Sequence, residues 1–185
     1  MKENQRIAVT KRMLKEGLLR LLRDKDLKNI RITELCAESG VNRATFYRHY
    51  ETVEDVLCEL ERDIARQMLP SSGIPTDLSR VRFRLEEVFS FAAEHSEIMK
   101  ILFRCNAEED MIRRINEFYN HYLQLHSVSN IGIGVDAATR KSVAAFFAGG
   151  FYCLLRQWVD SGMEQSPAQI AEIAAQLIRW PIVGR

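Results

Sequence analysis

Ile32-Thr33-Glu34-Leu35-Cys36-Ala37-Glu38-Ser39-Gly40-Val41-Asn42-Arg43-Ala44-Thr45-Phe46-Tyr47-Arg48-His49-Tyr50 reads as two short helices broken at a glycine. Gly40 falls where the chain must turn tightly, and glycine alone adopts a left-handed backbone at little cost. Leu35, Val41 and Phe46 have the spacing to lock the two helices together, which leaves Arg43, Thr45, Tyr47, Arg48 and His49 to face outward. A helix entering the DNA major groove must be held from behind by a second helix. This pattern therefore has the build of a helix-turn-helix DNA reader.

Charge agrees with that reading. Residues 1 to 50 carry 12 Lys and Arg against 6 Asp and Glu, whereas the remaining residues carry 14 against 19, so a net charge of +1 hides a basic front and an acidic rear. The basic part is the one suited to a polyanion. Cys36, Cys58, Cys105 and Cys153 form no C-x-x-C pair and read as small buried residues in a reducing compartment. Met1 to Arg6 lacks the apolar stretch of a secretory signal. The longest run free of Asp, Glu, Lys, Arg and His, Ser142 to Leu155, is shorter than the ~20 residues a membrane span needs. A cytoplasmic protein without a membrane partner is the expectation.

Apolar spacing is helical nearly throughout, which predicts an all-α chain. Leu14, Leu18, Leu21 and Leu22 stripe a first helix over about Thr10 to Asp24; Thr33 is placed to cap a second and Asn42 a third. Thr52 and Asp55 form a capping box for a long fourth helix, lined by Val53, Val56, Leu57, Leu60, Ile64 and Met68. A Pro-, Ser- and Gly-containing loop over residues 70–75 and a Thr76 cap precede a fifth helix, followed by a short sixth. Asn106 with Glu109 opens a seventh, Asp136 caps an eighth, and Ser166-Pro167 with Gln169 starts a ninth.

The last two helices have more apolar surface than the rest of the chain covers. Val143 to Leu155 is apolar all round, and Ile170, Ile173, Ala174 and Leu177 form a narrow stripe like a coiled-coil seam. A symmetric dimer packing Gly150, Leu154 and Trp158 of the eighth helix and Ile170, Ile173 and Leu177 of the ninth against their copies would cover both.

Thr33, Leu35, Gly40-Val41, Thr45-Phe46-Tyr47, His49-Tyr50 and Glu54-Asp55-Val56-Leu57 together resemble the TetR family of transcriptional regulators, closely over residues 10 to 60. Farther along the chain the likeness is limited to helix count and to the stretch from Gly149-Gly150-Phe151-Tyr152 to Trp158 ahead of Ser166-Pro167, which is similar to the dimer helices of some members. The resemblance implies an N-terminal three-helix domain over residues 1–52, joined by the long fourth helix to a ligand-binding and dimerisation domain over residues 53–185. It also implies a homodimer, a palindromic operator on double-stranded DNA, and a C-terminal cavity where a small-molecule effector changes DNA affinity. Carried over by position, Thr33 binds a backbone phosphate, Arg43 and Ala44 meet base edges, and Thr45, Tyr47, Arg48 and His49 contact phosphates. Val53 stands where many relatives have a phosphate-gripping lysine, so that contact is missing here.

The same resemblance motivates a pocket between the fifth, seventh and eighth helices, lined by Phe89, Phe103, Phe118, Tyr122 and Phe147. Glu117, His121 and His126 read as an exposed ion pair with a neighbouring histidine rather than as a metal site. No phosphate-binding glycine loop, nucleophile motif or acid pair is present, which argues against an enzyme and gives no reason to invoke a cofactor or metal. The leading reading is a ligand-released repressor. The alternatives are an activator, a coactivator, or a protein-interaction scaffold that has lost DNA binding.

Overall fold

A computed structural model describes residues 2–68, 78–105, 109–125 and 136–179, and every regular element among the described residues is helical. In chain order these are α1 (Lys2–Asp24), a 3-10 turn (Leu27–Asn29), α2 (Ile32–Ser39), α3 (Arg43–Tyr47), α4 (Val53–Met68), α5 (Leu78–Glu94), α6 (Ser96–Arg104), α7 (Glu109–Leu125), α8 (Ala137–Asp160) and α9 (Pro167–Arg179). The loop at 70–75, Thr76, Asn106, His126 and the glycines at 132 and 134 lie outside the described residues, as does the side chain of His121. No described helix is long and apolar enough to cross a membrane.

Helix starts follow the capping chemistry at four of five places where the sequence supplies it within the described residues. Asn42 accepts the Thr45 amide at 2.8 Å, and Asp136 accepts the Thr139 amide at 2.6 Å. Asp55 accepts the Thr52 amide at 2.8 Å while the Thr52 hydroxyl accepts the Asp55 amide at 3.1 Å, and Ser166 and Gln169 make the same reciprocal pair at 3.3 and 2.8 Å. Thr33 is the exception. Arg31 occupies the cap position without a side-chain bond, and Thr33 is the second residue inside α2. The first helix also begins earlier than Thr10, because Lys2 to Val9 contains good helix formers and no breaker.

Contacts divide the chain into two compact units: Met1–Asp63 with Ile101–Ala107, and Ile64–Lys100 with Glu108–Arg185. In the first, Leu14, Leu18 and Leu22 of α1, Leu35 of α2 and Phe46 of α3 are fully buried. The Arg104 guanidinium donates to the Leu22 carbonyl near the end of α1, which ties the Ile101–Ala107 segment to this unit. α1 crosses α2 at Gly17, where an added Cβ would lie 3.0 Å from Ser39 Cβ and 3.2 Å from its Cα. Ser39 is buried and its hydroxyl donates to the Leu35 carbonyl at 2.7 Å, so it has little room to retreat.

In the second unit α5 packs against α9 and α7 against α8. Phe89 of α5 is fully buried, with Phe151 at 5.6 Å and Trp158 edge-on at 5.2 Å between ring centroids. The Trp158 indole N–H donates to the Gln165 carbonyl at 3.0 Å, fixing the turn between α8 and α9. The apolar α8 sequence suggested burial on most sides, yet within one chain Ala145, Phe146, Gly150 and Cys153 are exposed, Phe146 by 77%. The four cysteines likewise divide. Cys36 is buried and Cys105 half-buried, while Cys58 and Cys153 are exposed on the outward faces of α4 and α8.

Gly17→Ala gains helix propensity of about 1 kcal/mol but forces apart two helices pinned at Ser39. The expected result is a net loss of roughly 1 kcal/mol in denaturant unfolding of the first unit, and a larger loss for Gly17→Val.

Candidate nucleic-acid interface

The outward face of the first unit is set by how α2 ends. Gly40 adopts φ 67° and ψ 21°, the Val41 amide donates to the Cys36 carbonyl at 3.0 Å, and the Gly40 amide donates to the Ala37 carbonyl at 3.3 Å. These two bonds form a Schellman turn, which satisfies the last carbonyls of α2 and redirects the chain at once. Val41 is buried just after the turn, Asn42 caps α3, and Phe46 is buried on its inner side.

With Phe46 inward, Arg43, Ala44, Tyr47 and Arg48 are exposed, and Thr45 and His49 are partly so. Tyr47 is 51% exposed, and its ring meets the Phe46 ring edge-on at 5.5 Å. The Arg43 guanidinium carbon lies 5.9 Å from the Tyr47 ring centroid. A hydrogen bond to Tyr47 raises the Arg43 pKa further, so its positive charge is fixed. Thr33 is exposed in the first turn of α2. Val53, where the resemblance led to a missing phosphate contact, is buried in α4 and offers no charge to a phosphate.

A set of charged braces that the sequence reading missed holds this face in place. Lys15 pairs with Glu59 at 2.9 Å and with Asp63, and Lys11 pairs with Glu59 at 2.7 Å, tying α1 to α4. Arg20 pairs with Glu38, tying α1 to α2, and Lys25, just past the end of α1, pairs with Glu34. The signal was present, since Lys11 and Lys15, Glu59 and Asp63, and Glu34 and Glu38 are each four apart on one helix face. Tyr50 is buried between these elements, with Lys11 Nζ 5.2 Å from its ring centroid and the Phe46 ring at 6.0 Å. Burial, and then the neighbouring Glu59, push the Tyr50 pKa up. Burial also pushes Glu59 up, but hydrogen bonds from Lys11 and Lys15 outweigh it and hold the carboxyl at about 2.

The residues expected at an interface between copies divide into two groups. Trp158 and Ile170 are buried in the subunit's own core, Trp158 against Phe89, so neither faces outward as anticipated. Gly150, Ile173 and Leu177 are exposed and Leu154 is half-buried, with Ile173 43% and Leu177 55% exposed. Helical periodicity assigned both groups to one stripe, because it does not tell a core-facing side from an adjoining outer one. An open groove of about 520 Å³, lined by Cys153, Arg156, Gln157, Asp160 and Ser161, runs along the exposed side of α8.

The aromatic set expected to line a pocket falls in both units and partly outside the described residues. Phe89 is packed shut by Phe151 and Trp158, and Phe103 belongs to the Ile101–Ala107 segment of the first unit. Phe147 is half-buried on α8, and the side chains of Phe118 and Tyr122 lie outside the described residues. Among the described residues no cluster of histidine, cysteine and carboxylate side chains is placed to hold a metal ion.

Comparison with known proteins adds to this geometry. Residues 84–179 match the family model of the TetR-type transcriptional regulator C-terminal region. An HTH-type transcriptional regulator of Bacillus subtilis, YxbF, is 22% identical over 172 residues, covering 89% of this chain. The chain spans 43% of that relative's length. A TetR-family regulator structure from Syntrophomonas wolfei superposes with a TM-score of 0.74 at 19% identity, covering 94% of this chain and 95% of the other. The Thermus thermophilus repressor FadR, crystallised with lauroyl-CoA, superposes with a TM-score of 0.59 at 14% identity, covering 95% and 96%.

The depressed Glu59 carboxyl stabilises the fold above its ordinary value of 4.5, and that contribution is lost as pH falls toward about 2. Glu59→Gln is therefore expected to melt a few degrees below the wild type at neutral pH. The gap between the two proteins should close between pH 4.5 and about 2 in paired thermal scans.

Proposed function

The chain belongs to the TetR family of transcriptional regulators, and we propose that it acts as a repressor that binds a palindromic operator as a homodimer and leaves DNA when a small molecule binds. The observation that carries this reading is the outer face of α3. Arg43, Ala44, Tyr47 and Arg48 stand exposed on a short helix that a Schellman turn and buried Phe46 hold away from the core, within the basic stretch of residues 1–50. In this reading residues 1–52 are the DNA-reading head. Arg43 donates to a guanine edge and the Ala44 methyl packs on a thymine methyl. Thr33, Thr45, Arg48 and His49 set the helix on the phosphates, with Tyr47 beside them.

Two heads must meet successive major grooves about 34 Å apart, which requires a dimer. Residues 53–185 are proposed to supply it. The exposed Gly150, Ile173 and Leu177, with half-buried Leu154, support an interface built from α8 and α9. The small residue at Gly150 lets a facing helix approach closely. The effector belongs to this same region. The lauroyl-CoA complex of the Thermus thermophilus repressor supports a small-molecule site of that general kind. Such a ligand acts through its difference in affinity between the DNA-fitting and non-fitting shapes of the dimer. A regulator of this kind works in the cytoplasm, where it meets DNA. A scaffold that has lost DNA binding is the competing reading, and buried Val53 in place of a lysine favours it.

Counterion release separates the two readings. With about six to ten phosphate contacts per dimer, operator affinity should fall roughly 10³- to 10⁵-fold between about 50 and 200 mM salt, whereas a scaffold gives a flat response. Arg43→Ala should weaken the preferred operator by about 1–3 kcal/mol and random duplex far less; equal operator affinity in a salt-matched titration would remove Arg43 from base reading. Leu177→Glu should sediment as a monomer at a concentration where the wild type is a dimer. A monomeric wild type would overturn the proposed interface.

A further inference from the structure

We infer that Tyr47 is a positioning residue for Arg43: its ring holds the guanidinium over the outer face of α3 before DNA arrives, so base reading by Arg43 depends on the aromatic ring one turn away. The inference rests on the DNA-reading function proposed above and assigns Tyr47 a part beyond that of a phosphate contact. Arg43 is the first residue of α3 and Tyr47 the last, four apart and therefore on one face. The guanidinium carbon lies 5.9 Å from the Tyr47 ring centroid, within the range at which a cation is drawn to an aromatic face.

The platform is itself braced. The Tyr47 ring meets the Phe46 ring edge-on at 5.5 Å, and Phe46 is fully buried, so a line of contact runs from the core through Phe46 and Tyr47 to Arg43. A free arginine side chain samples many rotamers and loses them when it docks on a base. One already resting on a ring has fewer to lose, and its flat fork can meet the two acceptors of guanine bidentately. α3 contributes only five residues, so it has no longer helix face on which a wandering arginine could find support.

The test uses the full chain and duplexes that the wild type selects from a random-sequence pool, each compared with copies in which single guanines are replaced. Wild type should prefer the guanine read by Arg43 by roughly 5- to 150-fold, and Arg43→Ala should abolish that preference. Tyr47→Leu should lose it too, falling within about twofold of Arg43→Ala, and the double variant should be no worse than either single one. Tyr47→Phe keeps the ring, so it should retain the preference while losing affinity on all sequences alike. Without DNA, ring-current shifts of the Arg43 side-chain protons should be present in wild type and Tyr47→Phe and absent in Tyr47→Leu.

If Tyr47→Leu weakens all duplexes equally and adds to Arg43→Ala, while the wild type keeps its guanine preference, the positioning role is overturned and the DNA-reading function stands. Absent ring-current shifts in the wild type overturn it as well. A wild type that selects no sequence overturns both.

Discussion

A helix of five residues cannot hold itself in water, because fixing its first turn costs more than so few hydrogen bonds return. α3 is such a helix, and the rest of the first unit exists to impose its conformation. Three constraints act on it together: the left-handed turn at Gly40, the Asn42 cap on the Thr45 amide, and the burial of Phe46. Each fixes a different freedom. The turn sets the angle between α2 and α3, the cap sets where α3 begins, and Phe46 sets its rotation. Once that rotation is fixed, the outward direction of Arg43, Ala44, Tyr47 and Arg48 follows without further interaction.

The platform under α3 is held by two kinds of contact that divide the work. Apolar burial of Leu14, Leu18, Leu22 and Leu35 supplies cohesion but little direction, since hydrophobic contacts are not oriented. The ion pairs from α1 to α2 and to α4 supply direction. Each is partly exposed and is worth at most about 1 kcal/mol taken alone. Lys11 and Lys15 facing Glu59 and Asp63 nonetheless fix how the two helices are rotated about their axes, because each pair shares one helix face and turning either helix would carry its two charges away together. The close crossing at Gly17 adds a steric limit to the same arrangement.

The second unit closes some of its aromatic residues into core and leaves others at its surface. Phe89, Phe151 and Trp158 fill one another's space and make a closed cluster. The outer side of α8, with Phe146, Gly150 and Cys153, stays uncovered within one chain. The apolar stretch of α8 thus carries one side that is core and another that is surface, although both sides are apolar.

Local chemistry was enough to read much of this from the residues. Asn42, Thr52 with Asp55, Asp136, and Ser166 with Gln169 cap helices because their side chains bond amides only two or three positions away. Gly40 announces its turn for the same reason, and the apolar stripes of α1 and α4 mark their buried sides. Thr33 shows the limit, since a hydroxyl can cap a helix or sit within its first turn, and here the chain enters the helix at Arg31. Which apolar stripe meets the core and which meets solvent, as with Trp158 against Leu177, depends on neighbours distant in sequence. So does the pairing of Lys15 with Glu59 and Asp63, and for the same cause: periodicity records that a helix has a face, whereas only the packed chain determines what that face touches.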